Sequence, residues 1–231
     1  MRRNSTVRRL SVELLCLILV PLLTGCYYAA GSGQVEARAF DIEDFNRVSV
    51  GSAFQADVSY GETYQVSITA DANLFNHLDV VQRGNTLYIG LKPRIVLRRG
   101  MLRAAVTLPY LEGIDVSGAS SVTVAGFTDA PRFDAEASGA SRLTLDALTL
   151  GNSKFDISGA SQVELVDLRA DDADFEVSGA SRVNGRLLMR NGDLDVSGAS
   201  QINLSGSAGI LEIEGSGASN LNLDGFPMSD L

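Results

Sequence analysis

The second half of the chain repeats a single tetrapeptide, Ser-Gly-Ala-Ser, six times. The copies begin 19 to 21 residues apart, at Ser117, Ser138, Ser158, Ser178, Ser197 and Ser216. A period of this length is typical of a solenoid, in which each repeat is one coil that cannot bury its apolar face alone and stacks on its neighbours. The repeat therefore constrains the fold more strongly than it constrains the chemistry of the chain.

Apolar and acidic residues alternate on the N-terminal side of each tetrapeptide. In the first repeat, Ile114 and Val116 lie three and one residues before the first Ser. An acidic residue lies between the two apolar positions in every repeat, as Asp115, Glu136, Asp156, Glu176, Asp195 and Glu214. Since a period of two is that of a half-buried strand, we expect the apolar set to point inward and the acidic set outward.

A second alternating segment follows each tetrapeptide, with apolar residues such as Val122 and Val124 on either side of a polar residue, Thr123. Each coil is therefore predicted to contain two strands that meet at a Gly-Ala-Ser corner, and a looser remainder such as residues 166–172. Stacked strands lie about 4.8 Å apart, so only small residues fit at an inward bend, where Gly also adopts backbone angles closed to other residues. The flanking Ser residues are expected to form hydroxyl ladders. The predicted fold is all-β, a single-stranded β-helix with coils of about 20 residues.

The first 25 residues resemble a bacterial lipoprotein signal peptide. Four arginines precede an apolar run at residues 14–23, which is shorter than the roughly 20 residues of a membrane-spanning helix. Leu23-Thr24-Gly25-Cys26 has the form of a lipobox, and this resemblance implies cleavage before Cys26 and attachment of lipid to its thiol. The expected partner is a membrane, which the protein contacts through lipidated Cys26. In Gram-negative lipoproteins an Asp after the lipidated Cys commonly signals inner-membrane retention, and this chain has Tyr27 there, so the resemblance implies the outer membrane of a Gram-negative bacterium.

Removal of the signal peptide leaves 15 basic and 27 acidic residues, a net charge of −12. Binding to nucleic acid requires a basic surface, so nucleic acid is not expected as a partner. The one concentrated basic stretch lies between Lys92 and Arg103. The sequence favours a solvated loop for this stretch, and the alternative is a segment that approaches anionic lipid head groups near the anchor.

Residues 34–109 precede the repeats and contain no copy of the tetrapeptide. Alternating segments predict strands over residues 35–40, 47–50, 54–60, 63–70, 79–82, 86–91 and 103–108. Hairpin turns are predicted at Gly61-Glu62 and Gly84-Asn85, and one helix over residues 71–78 with Asp71 as its N-cap. We expect this β-rich region to cap the first end of the β-helix, because an exposed terminal coil leaves backbone groups unpaired.

These features predict a signal peptide at residues 1–25, a lipidated tether at 26–33, a β-rich cap at 34–109 and the repeat β-helix at 110–231. No cap is recognisable at the C-terminal end of the repeats. Three alternatives are open. Residues 226–231 could fold over the last coil, the sequence could stop short of its natural end, or the open coil could pair with another subunit. In the last alternative the protein is a homo-oligomer.

Several motifs together carry a family resemblance. They are the lipobox, Gly31-Ser32-Gly33, residues 45–59, Gly84-Asn85-Thr86-Leu87-Tyr88-Ile89 and the repeated Ser-Gly-Ala-Ser. The chain resembles the family described as putative autotransporter adhesin, head GIN domain, over nearly all of its mature length. The resemblance implies a right-handed β-helix and an adhesin, and it transfers no catalytic motif.

The search for catalytic chemistry finds no constellation. A Ser nucleophile needs a base and an orienting group, and the only histidine, His77, lies before the repeats. Cys26 is expected to be acylated, so a His/Cys metal site is excluded by count. The outward acidic column is either solvated or a weak Ca²⁺ site, and the six to eight oxygens that Ca²⁺ requires favour solvation. No cofactor and no catalytic residue is predicted.

The function predicted from the sequence is that of a non-enzymatic, lipid-anchored cell-envelope protein. Its rigid acidic β-helix would present a surface for binding or adhesion to a protein or glycan. One alternative is an assembly module that stacks through its open coil end. Another is a polysaccharide-cleaving β-helix enzyme, which the absence of Trp and the inward position of Phe155 and Phe175 disfavour, because glycan clefts use exposed aromatic platforms.

Overall fold

The structure is a computed structural model, and it describes residues 27–223. Apart from one short 3-10 helix at Ala72–His77, the regular elements in this range are strands. The strands are β1 (Tyr27–Ala30), β2 (Val35–Phe40), β3 (Arg47–Val50), β4 (Gln55–Tyr60), β5 (Gln65–Asp71), β6 (Leu78–Arg83), β7 (Thr86–Leu91), β8 (Ile95–Arg99), β9 (Leu102–Leu108), β10 (Gly113–Val116), β11 (Ser121–Ala125), β12 (Ala130–Ala137), β13 (Arg142–Asp146), β14 (Thr149–Ile157), β15 (Gln162–Val177), β16 (Arg182–Val196), β17 (Gln201–Ser207), β18 (Ile210–Gly215) and β19 (Asn220–Asn222). The predicted all-β class is confirmed.

The repeats stack as parallel strands in one register. Two residues before the corners, Asp115 pairs with Glu136 and Glu136 with Asp156, and the series continues to Glu214. This first sheet contains β10, β12, β14, the C-terminal parts of β15 and β16, and β18. The prediction of a β-solenoid with coils of roughly 20 residues is confirmed, and the solenoid has about six turns.

The segments after the corners form a second sheet in the same way, with Val122 opposite Leu143 and Leu143 opposite Val163. In two coils the remainder is more regular than the sequence predicted, because β15 and β16 run without a break from one corner to the next. The prediction of a looser remainder at residues 166–172 is therefore wrong. Pairing between successive coils continues around the turn, with Ala170 opposite Met189, and this holds the backbone in strand geometry.

The inward side chains form one continuous core. Ile114 is 1% exposed, and its equivalents in the next four coils are buried as predicted. Phe133, Phe155 and Phe175 stack along this core, with ring centroids 6.4 Å and then 4.3 Å apart. Ile213 occupies the equivalent position in the last described coil and is 45% exposed. Within residues 27–223, no further coil covers it.

Each corner glycine has a left-handed backbone conformation, with φ between +70° and +77°. The corner backbones also pack closely along the stack, since the Ala160 N–H donates to the Gly139 carbonyl at 2.7 Å. A Cβ added at Gly159 would lie 2.5 Å from that carbonyl oxygen. Glycine is therefore required here both for its φ and for the close approach of the next coil.

The inward residue of each corner is its last serine. The Gly and Ala residues that were predicted to fill an inward bend are exposed instead, whereas Ser120, Ser141, Ser161, Ser181 and Ser200 are at most 2% exposed. The predicted hydroxyl ladder forms only in part. The Ser141 hydroxyl donates to the Ser161 hydroxyl at 3.2 Å, and the Ser161 hydroxyl donates to the Ser158 carbonyl at 2.8 Å. Two of these hydroxyls, those of Ser120 and Ser200, have no hydrogen-bond partner within the described chain.

The two solenoid sheets continue into the region before the repeats. β3 pairs with β10 and β4 pairs with β11, both in parallel. The Ser117 N–H donates to the Val50 carbonyl at 2.9 Å, so Gly51-Ser52-Ala53 lies under the first tetrapeptide. Ser52 adopts the left-handed φ of +61° that glycine adopts in the repeats. β3, this corner and β4 thus form a coil without the repeat motif.

Strands β2, β5, β6, β7 and β9 extend the two sheets beyond that coil. β6 and β7 are antiparallel and are joined at Gly84-Asn85, which confirms this hairpin. The hairpin predicted at Gly61-Glu62 is wrong. β4 and β5 lie on opposite edges of β9, with β4 parallel and β5 antiparallel to it.

The helix predicted over residues 71–78 is a 3-10 helix at Ala72–His77, and Asp71 does not cap it with its side chain. The Asp71 carboxylate instead accepts hydrogen bonds from the Gly33 N–H at 2.6 Å and the Met101 N–H at 2.8 Å. It is 3% exposed and joins segments that are distant in sequence.

Two segments that were predicted to be irregular are strands. Residues 27–30 of the predicted tether form β1, and the basic stretch expected as a solvated loop contains β8. These strands pair with each other in parallel, in a two-stranded sheet separate from the solenoid sheets.

Candidate functional site: a groove along the coil stack

A groove of about 770 Å³ runs across several coils on the outside of the solenoid. It follows the bend before the first sheet, where the pairing of successive coils is interrupted between Leu150–Ala170 and Asn152–Asp172. One wall is the row four residues before the corners: Asp134, Lys154, Asp174, Asp193 and Glu212. The other wall is the row six residues before them: Arg132, Asn152, Asp172, Asn191 and Ile210. Ser153, Ala173 and Gly192 lie between the rows and form the floor of the groove.

The acidic column predicted on the outside of the solenoid flanks this groove. Lys154 neutralises part of it, because its Nζ lies 2.7 Å from Glu176 Oε1 and 3.5 Å from Asp156 Oδ1. The Ser49 hydroxyl donates to the Asp115 carboxylate at 2.9 Å. The contact between Lys154 and Glu176 joins different positions on neighbouring coils, so the alternation along a single strand does not predict it.

The carboxyl groups around Lys154 titrate at shifted pKa values. Burial and the nearby Glu176 raise the pKa of Asp156, although Lys154 opposes the shift. Burial also raises the pKa of Asp174, and Asp193, Glu176 and Asp156 raise it further. The hydrogen bond from Lys154 lowers the pKa of Glu176. Burial first, and then the like charges along the stack, thus make ionisation of Asp174 less favourable, although the nearby Lys154 opposes this shift of its pKa.

The C-terminal part of the groove has a surplus of negative charge. In residues 27–223, Asp174, Asp193 and Glu212 make no ion pair. At the other end of the same wall, Arg47 Nη1 lies 3.0 Å from Asp134 Oδ2. Like charges opposite each other on neighbouring strands are destabilising. The C-terminal end of the groove is therefore suited to a cationic group from a partner.

The opposite wall supplies carboxamide groups, which the sequence analysis missed. Asn191 Nδ2 donates to Asp172 Oδ1 at 2.6 Å, and the Arg190 guanidinium lies 3.8 Å from Asp172 Oδ2. The signal was present in the sequence as a polar residue six positions before Ser158, Ser178 and Ser197. The two-strand pattern of the coil places this segment in the looser remainder, where no side-chain alignment is expected.

Other residues considered for chemistry lie apart from the groove or outside the described range. His77 ends the 3-10 helix and is not among the residues that line the groove. In residues 27–223, no group of three or more His, Cys, Asp or Glu side chains is arranged to hold a metal ion. Cys26, the signal peptide at residues 1–25 and residues 224–231 lie outside the described residues, so the predictions made for them stay predictions. None of the described helices is long and apolar enough to cross a membrane.

The match to a known family covers most of the chain. Residues 44–191 and 153–231 match the family described as putative auto-transporter adhesin, head GIN domain. The chain belongs to this family. The resemblance inferred from the sequence motifs is thereby confirmed, and the family suggests a cell-surface or envelope protein with an adhesion-like role.

Solved structures share the fold of this head GIN domain protein. A putative adhesin from Bacteroides fragilis is 19% identical, with a TM-score of 0.70 over 84% of this chain and 99% of that chain. A putative lipid binding protein from Parabacteroides distasonis is 18% identical, with a TM-score of 0.62 over the same shares of the two chains. A putative adhesin from Parabacteroides merdae is 15% identical, with a TM-score of 0.53 over 84% and 98%. A search of curated proteins gives no match.

Proposed function

We propose that this protein is a non-enzymatic, lipid-anchored component of the bacterial cell envelope that binds a protein or glycan along its acidic groove. The lipid is attached at Cys26, and the outer membrane of a Gram-negative bacterium holds the anchor. Its membership of an adhesin family supports a binding role at the envelope. The acidic groove is the surface on which we place ligand binding.

The observation that carries this proposal is the row of carboxylates at Asp174, Asp193 and Glu212 in the groove, which make no ion pair within residues 27–223. Successive coils place one such group about every 4.8 Å. A ligand that offsets their repulsion carries several positive charges along an extended chain, as a basic peptide or an amino-sugar polymer does. Complementary charge of this kind also steers the encounter and raises the association rate.

The similar structure of a putative lipid binding protein raises the alternative of an apolar ligand. The groove described here argues against that alternative for this chain. Asp, Asn, Lys and Arg side chains form most of its walls, and Ile210 is the one large aliphatic residue among those that line it. An acyl chain in this groove would leave carboxylates desolvated without partners, which is unfavourable.

The binding proposal is tested by isothermal titration with oligolysine and with chitosan oligosaccharide as probes. The double variant Asp174→Asn/Asp193→Asn removes two groove carboxylates. An exposed ion pair contributes about 0.2–1 kcal/mol, so we expect its loss at two sites to weaken binding about 2- to 30-fold.

The matched control is Glu62→Gln/Glu164→Gln, which changes the net charge equally at exposed positions outside the groove. Affinity for the probes should be nearly unchanged in this control. Equal weakening in both double variants would show non-specific attraction to the acidic surface. Failure of the unmodified protein to bind either probe would remove the cationic-ligand proposal.

The anchor proposal is tested by mass spectrometry of the protein produced in a Gram-negative host. We expect the mature N-terminus at Cys26 to carry acyl chains, and we expect Cys26→Ser to release the protein from the membrane fraction. An unmodified Cys26 in the native host would contradict the anchor without affecting the groove. Protease treatment of intact cells then distinguishes a surface-facing from a periplasmic domain.

Assembly through the coil end is a second candidate, which the exposure of Ile213 supports. In residues 27–223, this inward position of the last described coil is not covered by another coil. Sedimentation velocity over a range of concentrations separates the two proposals. A monomer at all concentrations would count against assembly, whereas a concentration-dependent series that Ile213→Lys abolishes would support it.

A further inference from the structure

The two-stranded sheet formed by β1 and β8, here termed the ribbon, has an inner and an outer face. On the inner face, Ala29 is buried, and Ile95 and Leu97 pack against the core. The Tyr27 N–H donates to the Arg94 carbonyl at 2.8 Å, so the ribbon is ordered from its first residue. The ribbon is thus docked on the body of the protein by one of its faces.

The outer face presents aromatic, aliphatic and basic side chains together. Tyr28 and Val96 are paired in the ribbon and are 63% and 40% exposed. The Arg98 guanidinium carbon lies 4.3 Å from the centroid of the Tyr28 ring. Tyr27 pairs with Ile95 and belongs to the other face of the ribbon, but it lies at the start of β1 and is 73% exposed. Exposed tyrosines beside arginines are the side chains that membrane–water interfaces favour.

The ribbon and its flanks also hold a surplus of positive charge. None of the nine ion pairs in residues 27–223 involves Lys92, Arg94, Arg98, Arg99 or Arg103. The mature chain as a whole has a net charge of −12. The protein therefore separates its charge, with cations at the ribbon and unpaired carboxylates along the groove.

We propose that the outer face of the ribbon rests on the anionic surface of the membrane. This inference rests on the proposed anchor, because Cys26 is covalently bonded to Tyr27 at the start of the ribbon. Anionic lipid attracts each nearby Lys or Arg and strengthens binding about fivefold per charge, within a Debye length of the surface. The anchor and the ribbon then hold the N-terminal region at the membrane, whereas the groove belongs to the coils of the repeats.

The test uses the chain from residue 26 onward with Cys26→Ser, which retains all described residues and carries no lipid. Binding is measured by flotation with vesicles of phosphatidylcholine and of equimolar phosphatidylcholine and phosphatidylglycerol. We expect binding only to the anionic vesicles, and we expect added salt to weaken it. The double variant Arg98→Gln/Arg99→Gln should weaken binding about 25-fold at the fivefold effect per charge.

The matched control is Arg142→Gln/Arg182→Gln. These arginines are exposed and make no ion pair in the described chain, and they contact Gln162 and Gln201 of neighbouring coils. The control removes the same charge away from the ribbon, and binding should remain within about twofold, since an exposed contact contributes little. Melting temperatures of all variants verify that each one is folded.

A spectroscopic measurement locates the contact independently. The chain contains no Trp, so Tyr28→Trp places a single fluorophore on the outer face. Its emission should shift to shorter wavelength with anionic vesicles and not with neutral ones. Absence of that shift, or equal loss of binding in the control variant, would overturn the proposal. A dimer that forms without vesicles and dissociates in Arg98→Gln/Arg99→Gln would assign the face to a second copy instead. Vesicle binding by the ribbon with an unmodified Cys26 would contradict only the anchor.

Discussion

The substitution Gly159→Ala measures how closely the corners of successive coils pack. Gly159 has a φ of +76°, and an Ala in this conformation costs about 1–2 kcal/mol. The added Cβ would also lie 2.5 Å from the Gly139 carbonyl oxygen and 3.0 Å from the Gly139 nitrogen. Both contacts are with backbone, and the carbonyl already accepts a hydrogen bond from Ala160 at 2.7 Å. Relief of this overlap costs about 1–3 kcal/mol more, so the total loss of stability is about 2–5 kcal/mol.

Gly33→Ala is the control for the backbone conformation alone. Gly33 has a φ of +80°, and an added Cβ there would meet no atom within 4 Å. In thermal unfolding followed by circular dichroism, 1 kcal/mol shifts the midpoint of a chain of this size by about 2–4 °C. Gly159→Ala should therefore melt about 2–12 °C below Gly33→Ala. Equal midpoints for the two variants would refute the close packing of corner on corner.

Two further substitutions test the core and the groove. Phe155→Ala removes a fully buried ring that stacks 4.3 Å from the ring of Phe175, and it should lower the free energy of unfolding in urea by about 3–5 kcal/mol, whereas a loss below 1 kcal/mol would contradict the stacked core. Asp174→Asn should raise the thermal midpoint at neutral pH, because the raised pKa of Asp174 means that its ionised form destabilises the folded chain. The gain should disappear as the pH falls below the ordinary value of 3.8, where the carboxyl is protonated in both states, and a gain that persists there would have another cause.

The architecture of the repeats was predictable because every coil carries the same signals. The tetrapeptide fixes the period, and the alternation around it fixes the face of each strand, so the burial of Phe155 and the exposure of Asp195 follow from position alone. The orientation of the corner was not predictable from residue size. The small Gly and Ala face outward because the left-handed glycine turns the serine two residues later into the core.

The sequence did not predict that β3 and β4 form a coil, because their corner lacks the Ser-Gly-Ala-Ser tetrapeptide. Gly51-Ser52-Ala53 adopts a left-handed turn with Ser52 in place of glycine, and tertiary pairing with β10 and β11 supports this conformation. A search for alternation would have found it, since Val48, Val50, Ala56 and Val58 are spaced like the inward residues of a repeat.

The candidate site was predictable only as an acidic column. Its concavity depends on where the chain bends, and no residue type marks that bend in every coil. The pairing of Lys154 with Glu176 spans 22 positions in sequence and is a diagonal contact between adjacent coils. The ribbon was likewise missed, because β1 and β8 are too short to show a period and pair only with each other.

The central claim is that equivalent residues of successive coils lie in line along one axis. It is tested by the distance between spin labels at Ala119→Cys and Ala199→Cys, in the chain from residue 26 onward with Cys26→Ser. Both alanines are exposed corner residues, and four coil spacings separate them, which gives about 19 Å between backbones. We expect a single narrow distribution near that value plus the length of the labels. A broad distribution, or one centred far above it, would show corners that are not stacked and would contradict the fold and the groove together.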